Sequence, residues 1–267
     1  MGELLFVGLG LYDERDLSLR GLEEIKQADE VFAELYTSLM TGLSIQKLEK
    51  LVGKKITVVS RHALEEEGGQ IILQEAEKGK VALLVPGDPL IATTHVDLRI
   101  RAEKLGIKTH VIHGASIISA TIGLSGLQNY KYGRSVTIPF PEEGFTSETP
   151  YKVIMENKKM RLHTFCFLDI KAEEKKYMTV RNGLEVLLAT EKQKRNRVIN
   201  SDTLVIGIAR AGSRNSTVKA GYVEDVIKHD FGAPPHTLVF PGKLHFMEAE
   251  ALITLAGAPE QIRKRQK

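Results

Sequence analysis

Cysteine is almost absent from the sequence, and its scarcity excludes several kinds of chemistry. The one cysteine, Cys166, cannot form a disulfide within the chain or contribute to a cluster of cysteine metal ligands. It stands in the apolar stretch HTFCFLDI without an apparent electropositive partner, so we expect a small buried side chain rather than a nucleophile. The lack of disulfides and of a secretory signal peptide predicts a cytoplasmic protein.

Proline, long apolar runs and an excess of charge of one sign are also scarce. Nine prolines and 23 glycines among 267 residues give no signature of a fibrous or disordered chain. Apolar runs such as VALLV are much shorter than the roughly 20 residues that cross a bilayer. The 37 basic and 34 acidic residues leave a net charge of +3, which does not by itself indicate nucleic-acid binding. The basic tail QIRKRQK is interpreted as a solvated terminus.

Motifs that identify several enzyme classes are missing as well. The sequence contains no H-E-x-x-H zinc motif, no phosphate-binding P-loop and no G-x-S-x-G nucleophile elbow, so hydrolysis by a metal or a covalent nucleophile has no support. Gly8 and Gly10 begin a dinucleotide fingerprint, but Asp13 occupies the place of its third glycine, and an acidic loop repels pyrophosphate. A nicotinamide or flavin enzyme is therefore a weak alternative, and a tight turn explains the two glycines equally well.

What the sequence does contain is a regular alternation of apolar strands and helices over its first 125 residues. The strand-like runs are ELLFVG, DEVFAE, KITVVS, KVALLV and KTHVIH. Strands that alternate with helices predict a parallel sheet with right-handed crossovers, which binds ligands beyond the carboxyl ends of its strands. We predict an α/β fold with a mostly parallel N-terminal domain at residues 1–125 and a mixed-sheet C-terminal domain at residues 126–267.

Polar and glycine-rich residues gather where the predicted strands end, and the turn PGDP after the fourth strand is the clearest case. Pro86 and Pro89 stiffen this turn, and Gly87 permits unusual backbone angles. The turn would hold the carboxylate of Asp88 at the mouth of a cleft, where a cationic or amine-bearing ligand could bind. The alternative is that Asp88 only caps the turn.

Other polar and aromatic side chains near predicted strand ends are open to two interpretations. Thr93 and Thr94 could offer hydroxyls to a ligand or cap the next helix, and His95 is interpreted as structural. Tyr12 and Tyr36 could face a cationic group, but packing is the favoured explanation.

Several stretches together resemble the diphthine synthase branch of the tetrapyrrole methylase-like, or class III, methyltransferases. They are GLGLYDERDLSLRGL, YTSLM, PGDPLIATTHVDLRIRA, VIHGASIISA, GLQNYKYG, LHTFCFLDIKAEEKKYMT, IARAGS and AGYVEDVIKHDFGAPPHTLVFPGKLHFMEAE. The resemblance runs from Leu5 to about Gly257, nearly the whole chain. The GDP turn marks only the superfamily, whereas its combination with the stretches of the second half is specific to the branch.

The resemblance implies an enzyme that uses S-adenosylmethionine, with the cofactor in the cleft between two α/β domains. It implies successive N-methylation of a 3-amino-3-carboxypropyl-histidine in translation elongation factor two, which gives diphthine in diphthamide biosynthesis and leaves S-adenosylhomocysteine. It also implies a homodimer that needs no metal, nucleic acid or membrane. Matching motifs carry the cofactor contacts to Leu11, Asp88, Ile91, Ser116, Ile117, Leu168, Ala211 and His236.

The sequence leaves the acceptor and the catalytic residues open. A methylase of the same fold could act on a tetrapyrrole precursor or on a ribose of ribosomal RNA, although the motifs of the second half argue against both. A non-enzymatic RNA-binding protein, using the tail and the basic run EKQKRNR, is the alternative from another class. The sequence identifies no general base, and it does not determine the number of methyl groups, esterification of the carboxylate or the acceptor-docking surface.

Overall fold

A computed structural model describes residues 2–142 and 145–266, with only the backbone described at residues 265 and 266. Its internal contacts divide the chain into two units. The first unit comprises Met1–Ile117 and Ala172–Glu174, and the second comprises Ile118–Lys171 and Lys175–Lys267. The domain boundary placed at residues 125 and 126 from the sequence stays a prediction.

The first unit is built on a five-stranded parallel sheet. Its strands lie in the order β3-β2-β4-β1-β5, and every pair of neighbours runs parallel. Apolar side chains of the central strands alternate between two buried clusters, one on each face, which explains their continuous apolar sequence. The strands are β1 (Glu3–Gly8), β2 (Glu30–Glu34), β3 (Thr57–Val59), β4 (Lys80–Val85) and β5 (Lys108–Ile112).

Helices connect these strands, and some but not all of their ends have side-chain caps. The hydroxyl of Ser18 accepts a hydrogen bond from the backbone N–H of Gly21 and caps the first helix. At the fourth helix neither threonine acts as a cap: the hydroxyl of Thr93 donates to the carbonyl of Pro89, and the side chain of Thr94 makes no capping bond. The connecting helices are α1 (Leu19–Gln27), α2 (Ile45–Val52), α3 (Gln70–Lys78) and α4 (His95–Lys104). The helix α5 (Ile117–Ser125) follows β5 and belongs mostly to the second unit.

The second unit is built on a mixed sheet in the order β11-β10-β12-β7-β6. Only its β6–β7 pair is parallel, and the other three pairs are antiparallel. The strands of this sheet are β6 (Val136–Ile138), β7 (Thr164–Leu168), β10 (Leu204–Ala209), β11 (Thr217–Tyr222) and β12 (His236–Phe240), and β8 (Ile170–Lys171) pairs with β9 (Lys176–Tyr177) in a separate hairpin. The helices are α6 (Thr149–Lys159), α7 (Val180–Lys194), α8 (Val223–Val226) and α9 (Phe246–Ala256). The predicted combination of one parallel and one mixed α/β sheet is confirmed.

A buried carboxylate, Glu248, anchors the start of α9. Its Oε1 atom accepts a hydrogen bond from the N–H of Gln128 at 2.9 Å and lies 2.9 Å from Nε2 of His163. Its Oε2 atom accepts from the N–H of His245 at 2.7 Å and contacts the ammonium group of Lys131. Burial alone would raise the pKa of Glu248, but the hydrogen bonds from His163, His245 and Lys131 outweigh it and lower the pKa to about 2. This carboxylate therefore joins loops that are distant in sequence.

Three features considered from the sequence can be described in the structure: the environment of Cys166, the length of apolar helices and the grouping of metal-binding side chains. Cys166 is fully buried in β7, and burial raises the pKa of its thiol above the ordinary range. Within residues 2–142 and 145–266, no helix is long and apolar enough to cross a membrane. The same residues include no group of three or more histidine, cysteine, aspartate or glutamate side chains placed to hold a metal ion.

Candidate functional site

The carboxyl ends of β4, β1 and β5 lie side by side, and glycines allow their backbones to approach closely. A Cβ atom added to Gly8 would lie 2.5 Å from both the nitrogen of Gly114 and the oxygen of Gly87. A Cβ atom added to Gly114 would also collide with the Gly87 carbonyl. Gly87 itself has φ +73°, and a Cβ atom there would meet nothing within 4 Å. The backbone of this turn is therefore open to a ligand.

The loop after β1 is closed by its own hydrogen bonds. Gly10 and Gly87 exchange backbone hydrogen bonds of 3.2 and 2.7 Å, which tie the loop to the turn after β4. The carboxylate of Asp16 accepts from the N–H groups of Leu11 at 3.0 Å and Tyr12 at 2.7 Å. These two N–H groups are therefore occupied, whereas a dinucleotide site presents such groups to the pyrophosphate.

Asp13 adds a second argument against a dinucleotide in this loop. Its carboxylate is nine-tenths buried and pairs with the guanidinium of Arg15 at 2.6 Å. The hydrogen bonds from Arg15 lower the pKa of Asp13, so the carboxylate carries its negative charge at neutral pH. A charged carboxylate in the place of the third glycine agrees with the sequence argument.

The carboxylate of Asp88 is anchored on both oxygens in the turn after β4. The residue is only 8% exposed. Its Oδ1 atom accepts from the N–H of Leu90 at 3.1 Å, so it does cap the turn. Its Oδ2 atom lies 2.7 Å from Nδ1 of His113, which directly follows β5 and has a side chain 76% exposed. Asp88 therefore lies within the edge of the sheet and supports a histidine that is open to solvent.

Five of the residues predicted to contact the cofactor lie in loops at this edge of the first sheet. Leu11 follows β1, and Asp88 and Ile91 follow β4. Ser116 and Ile117 follow β5 at the beginning of α5. The structure thus brings together chain segments that are up to about 100 residues apart in sequence, because parallel strands end at a common edge.

The other three predicted residues lie at one edge of the second sheet. Leu168 is the last residue of β7, and His236 is the first residue of β12, which pairs with β7 in an antiparallel manner. His236 is also opposite Ala209, the last residue of β10, and Ala211 follows two positions later. Three neighbouring strands therefore place Leu168, His236 and Ala211 in adjacent positions.

Hydrogen bonds fix the orientation and the tautomer of His236. Its Nδ1 atom accepts from the N–H of Val180 at 3.2 Å, and its Nε2 atom lies 3.1 Å from the carbonyl oxygen of Ala233. Nε2 must therefore carry the proton. Burial lowers the pKa of His236, so the ring is neutral at physiological pH.

Arg210 organises the loops around this second edge, although sequence reasoning missed it. Its guanidinium donates to the carbonyl oxygens of Phe231 at 2.5 Å and Ala233 at 2.6 Å. It also donates to the carbonyl of Asn215, in the loop that follows β10, and to the hydroxyl of Thr217, the first residue of β11. The only signal in the sequence was its place within IARAGS. His113 was missed in the same way, although it opens the polar run HGAS after a predicted strand.

A buried polar cluster at the end of β2 accounts for two of the candidate side chains. Glu34 has no exposed surface and accepts from the backbone N–H groups of Tyr36 and Thr37, both at 3.1 Å. Its Oε1 atom lies 3.1 Å from Nε2 of His95, so this histidine has the structural role that the sequence indicated. The Tyr36 side chain is buried, and the guanidinium of Arg61 lies 5.2 Å from its ring centroid. Packing therefore explains Tyr36.

Comparisons with known proteins match the chain over nearly its whole length. The family model described as Tetrapyrrole (Corrin/Porphyrin) Methylases matches residues 3–227. The chain is 52% identical over 264 residues to the diphthine synthase of Methanosarcina acetivorans, covering 97% of this chain and 98% of the relative. It is 47% identical over 251 residues to that of Methanocaldococcus jannaschii, covering 93% and 97%. A crystal structure of a diphthine synthase superposes with a TM-score of 0.88 at 42% identity, covering 98% of this chain and 99% of the other.

Proposed function

The chain belongs to the tetrapyrrole methylase family and to its diphthine synthases, and from this premise we propose how its two sheet edges serve methyl transfer. It is a methyltransferase of diphthamide biosynthesis. Methyltransferases of this family generally use S-adenosylmethionine. The acceptor that we propose is the amino group of a 3-amino-3-carboxypropyl-histidine in elongation factor two, which is methylated in successive rounds to diphthine.

The observation that carries the cofactor assignment is the buried carboxylate of Asp88 beside the open backbone of Gly87. S-adenosylmethionine has a sulfonium and an ammonium group, both positively charged, and a carboxylate oxygen can accept from the ammonium even when each oxygen already has one partner. A Cβ atom added to Gly87 would have no atom within 4 Å apart from those of its two chain neighbours, so the backbone leaves room for a ligand. The residues that we propose to hold the cofactor are Leu11, Asp88, Ile91, Ser116 and Ile117 from the first unit, and Leu168, Ala211 and His236 from the second.

The chemistry that this cofactor supplies when bound is a methyl group on positively charged sulfur, which an uncharged amine can accept. The task of the chain is then to hold the reacting groups in line, and such positioning can supply ~7–11 kcal/mol of the barrier. Because burial keeps His236 neutral, this residue adds no positive charge beside a cationic ligand. The carboxylate of Asp88 adds a favourable negative charge.

Two further proposals concern assembly. We propose that elongation factor two is the protein substrate and that two copies of the chain form a homodimer. Light scattering on the purified chain tests the dimer, and a monomer at micromolar concentration would reject it.

A methyl-transfer assay with a matched pair of variants tests the proposed function. Elongation factor two that carries the unmethylated precursor is incubated with the chain and labelled S-adenosylmethionine, and mass spectrometry counts the methyl groups. Asp88→Asn should weaken binding of S-adenosylhomocysteine in calorimetry. Asp97→Asn, on the exposed face of α4 beside Arg101, should leave binding unchanged. Binding without transfer would indicate a tetrapyrrole or ribosomal RNA acceptor, and a chain that binds no cofactor would contradict the assignment.

A further inference from the structure

We propose that His113 is the general base of the reaction and that Asp88 orients it, an inference that rests on the proposed function. The acceptor amine is a cation at neutral pH and must lose a proton before its electron pair can take a methyl group. His113 would remove this proton with its Nε2 atom. The sequence alone identified no base, because the partner of His113 lies 25 residues away in the chain.

The hydrogen bond to Asp88 decides which ring nitrogen of His113 can act. Nδ1 lies 2.7 Å from Oδ2 of a carboxylate that caps its own turn through Oδ1. An ionised carboxylate only accepts hydrogen bonds, so Nδ1 must donate, and a neutral ring then has its electron pair on Nε2. Asp88 is buried and fixed, whereas the side chain of His113 is 76% exposed. The arrangement is an aspartate–histidine pair in which the histidine ring that carries the basic nitrogen is largely exposed to solvent.

The location of the pair also suits an acceptor that meets the cofactor. His113 lies between β5 and α5 and precedes Gly114, whose backbone touches the ends of β1 and β4. Two other histidines near the described edges cannot serve. His95 is buried against Glu34, and both ring nitrogens of His236 have hydrogen-bond partners.

Proton and charge balance follows from this assignment. In each round an N–H bond of the acceptor ammonium breaks and an Nε2–H bond forms on His113. The electron pair left on the acceptor nitrogen forms the new N–C bond to the methyl carbon, whose bond to the donor sulfur breaks and leaves its electron pair on that sulfur. The imidazolium then loses its proton to water, so that one proton is released for every methyl group transferred. A base that returns to its starting state can act in successive rounds on the same side chain. General-base catalysis of this kind contributes typically about 10²–10⁴-fold.

The decisive variant is His113→Asn, because an asparagine amide can still donate to Asp88 in place of Nδ1 but cannot take a proton. We expect single-turnover methyl transfer to fall by about 10²–10⁴-fold, with the dissociation constant for S-adenosylhomocysteine unchanged in calorimetry. The control is His110→Asn, within β5, whose ring contacts Glu3 and not Asp88; this variant should turn over at the wild-type rate. His113→Ala should regain activity with added imidazole.

An NMR measurement, which needs no methyl transfer, tests how Asp88 orients the ring of His113. The NMR shifts of the two ring nitrogens of His113 in the cofactor-free protein should report a proton on Nδ1, and Asp88→Asn should abolish this preference. The inference is overturned if His113→Asn transfers methyl groups at the wild-type rate, or if its only defect is weaker cofactor binding. A wild-type chain that modifies no elongation factor two would instead reject the proposed function, so the two failures are distinguishable.

Discussion

Replacement of Gly8 by alanine tests the idea that backbone packing builds the ligand-binding edge. The new Cβ atom would lie 2.5 Å from the nitrogen of Gly114 and the oxygen of Gly87, and 2.7 Å from the Cα atom of Gly114. Ordinary carbon contacts need about 3.5–4.0 Å, so the ends of β1, β4 and β5 would have to separate by roughly 1 Å. All three of these contacts are backbone atoms, which no change of rotamer can move aside.

The cost should be at the upper end of that for overpacked sites, about 3 kcal/mol in the stability of the first unit. Separation of the strands would also stretch the hydrogen bond from the N–H of Leu9 to the carbonyl of Val85, which is now 2.8 Å long. The two backbone hydrogen bonds between Gly10 and Gly87 would be stretched as well. Because these bonds hold the Asp88 turn, we expect the dissociation constant for S-adenosylhomocysteine to rise by at least about tenfold, or ~1.4 kcal/mol.

Urea unfolding followed by hydrogen exchange, read out on peptides from β1 and β4, measures the stability of this unit separately. Gly123→Ala is the matched control. Gly123 lies in α5, in the second unit, where a Cβ atom meets nothing within 4 Å, so alanine should stabilise the helix by up to about 1 kcal/mol and leave hydrogen exchange in β1 and β4 unchanged. A Gly8→Ala protein as stable as the wild type, with the same affinity for S-adenosylhomocysteine, would refute the reasoning.

Three further predictions concern the other polar anchors. The pKa of Glu248 is lowered from 4.5 to about 2 in the folded protein, so its stabilising contribution of about 3 kcal/mol is complete above about pH 5 and is lost as the pH falls toward 2. Glu248→Gln should therefore be less stable than the wild type at pH 7 and converge with it near pH 2 in urea titrations; parallel curves at all pH values would contradict this. Glu34→Ala should cost about 3–5 kcal/mol, because His95 and two N–H groups lose a buried partner, whereas Glu66→Ala, an exposed site beside His62, should leave the urea midpoint unchanged. Arg210→Gln should free the loops that its guanidinium holds and weaken binding of S-adenosylhomocysteine by about tenfold or more in calorimetry, with the melting temperature little changed; unchanged affinity would count against a role for these loops.

The strands and the Asp88 turn could be read from the sequence because their causes are local. Continuous apolar runs such as those of β1 and β4 predict strands that are buried on both faces. The sequence Pro86-Gly87-Asp88-Pro89 predicts a turn. Capping of α1 by Ser18 is local in the same sense.

The partners of polar side chains could not be predicted, because they come from distant parts of the chain. The hydroxyl of Thr94 does not cap α4, since it donates to Glu65, which lies 29 residues earlier. His113 meets Asp88 only because β5 and β4 end at the same edge, on either side of β1. Arg210 similarly gains its role from a loop more than 20 residues later. The residues on either side of these side chains in the sequence do not indicate such pairings.

The glycine-built edge has a practical consequence for the design of inhibitors. Gly87 and Gly114 are partly exposed where they pack on the buried Gly8, and their surface consists of peptide groups, whose shape does not change with side-chain rotamers. A compound that fits this surface would bind a rigid backbone, so little binding free energy would be lost to conformational change of the protein. Its discrimination between this protein and other methyl-donor enzymes would have to come from the few side chains at the margin, Ile91 and His113 in particular.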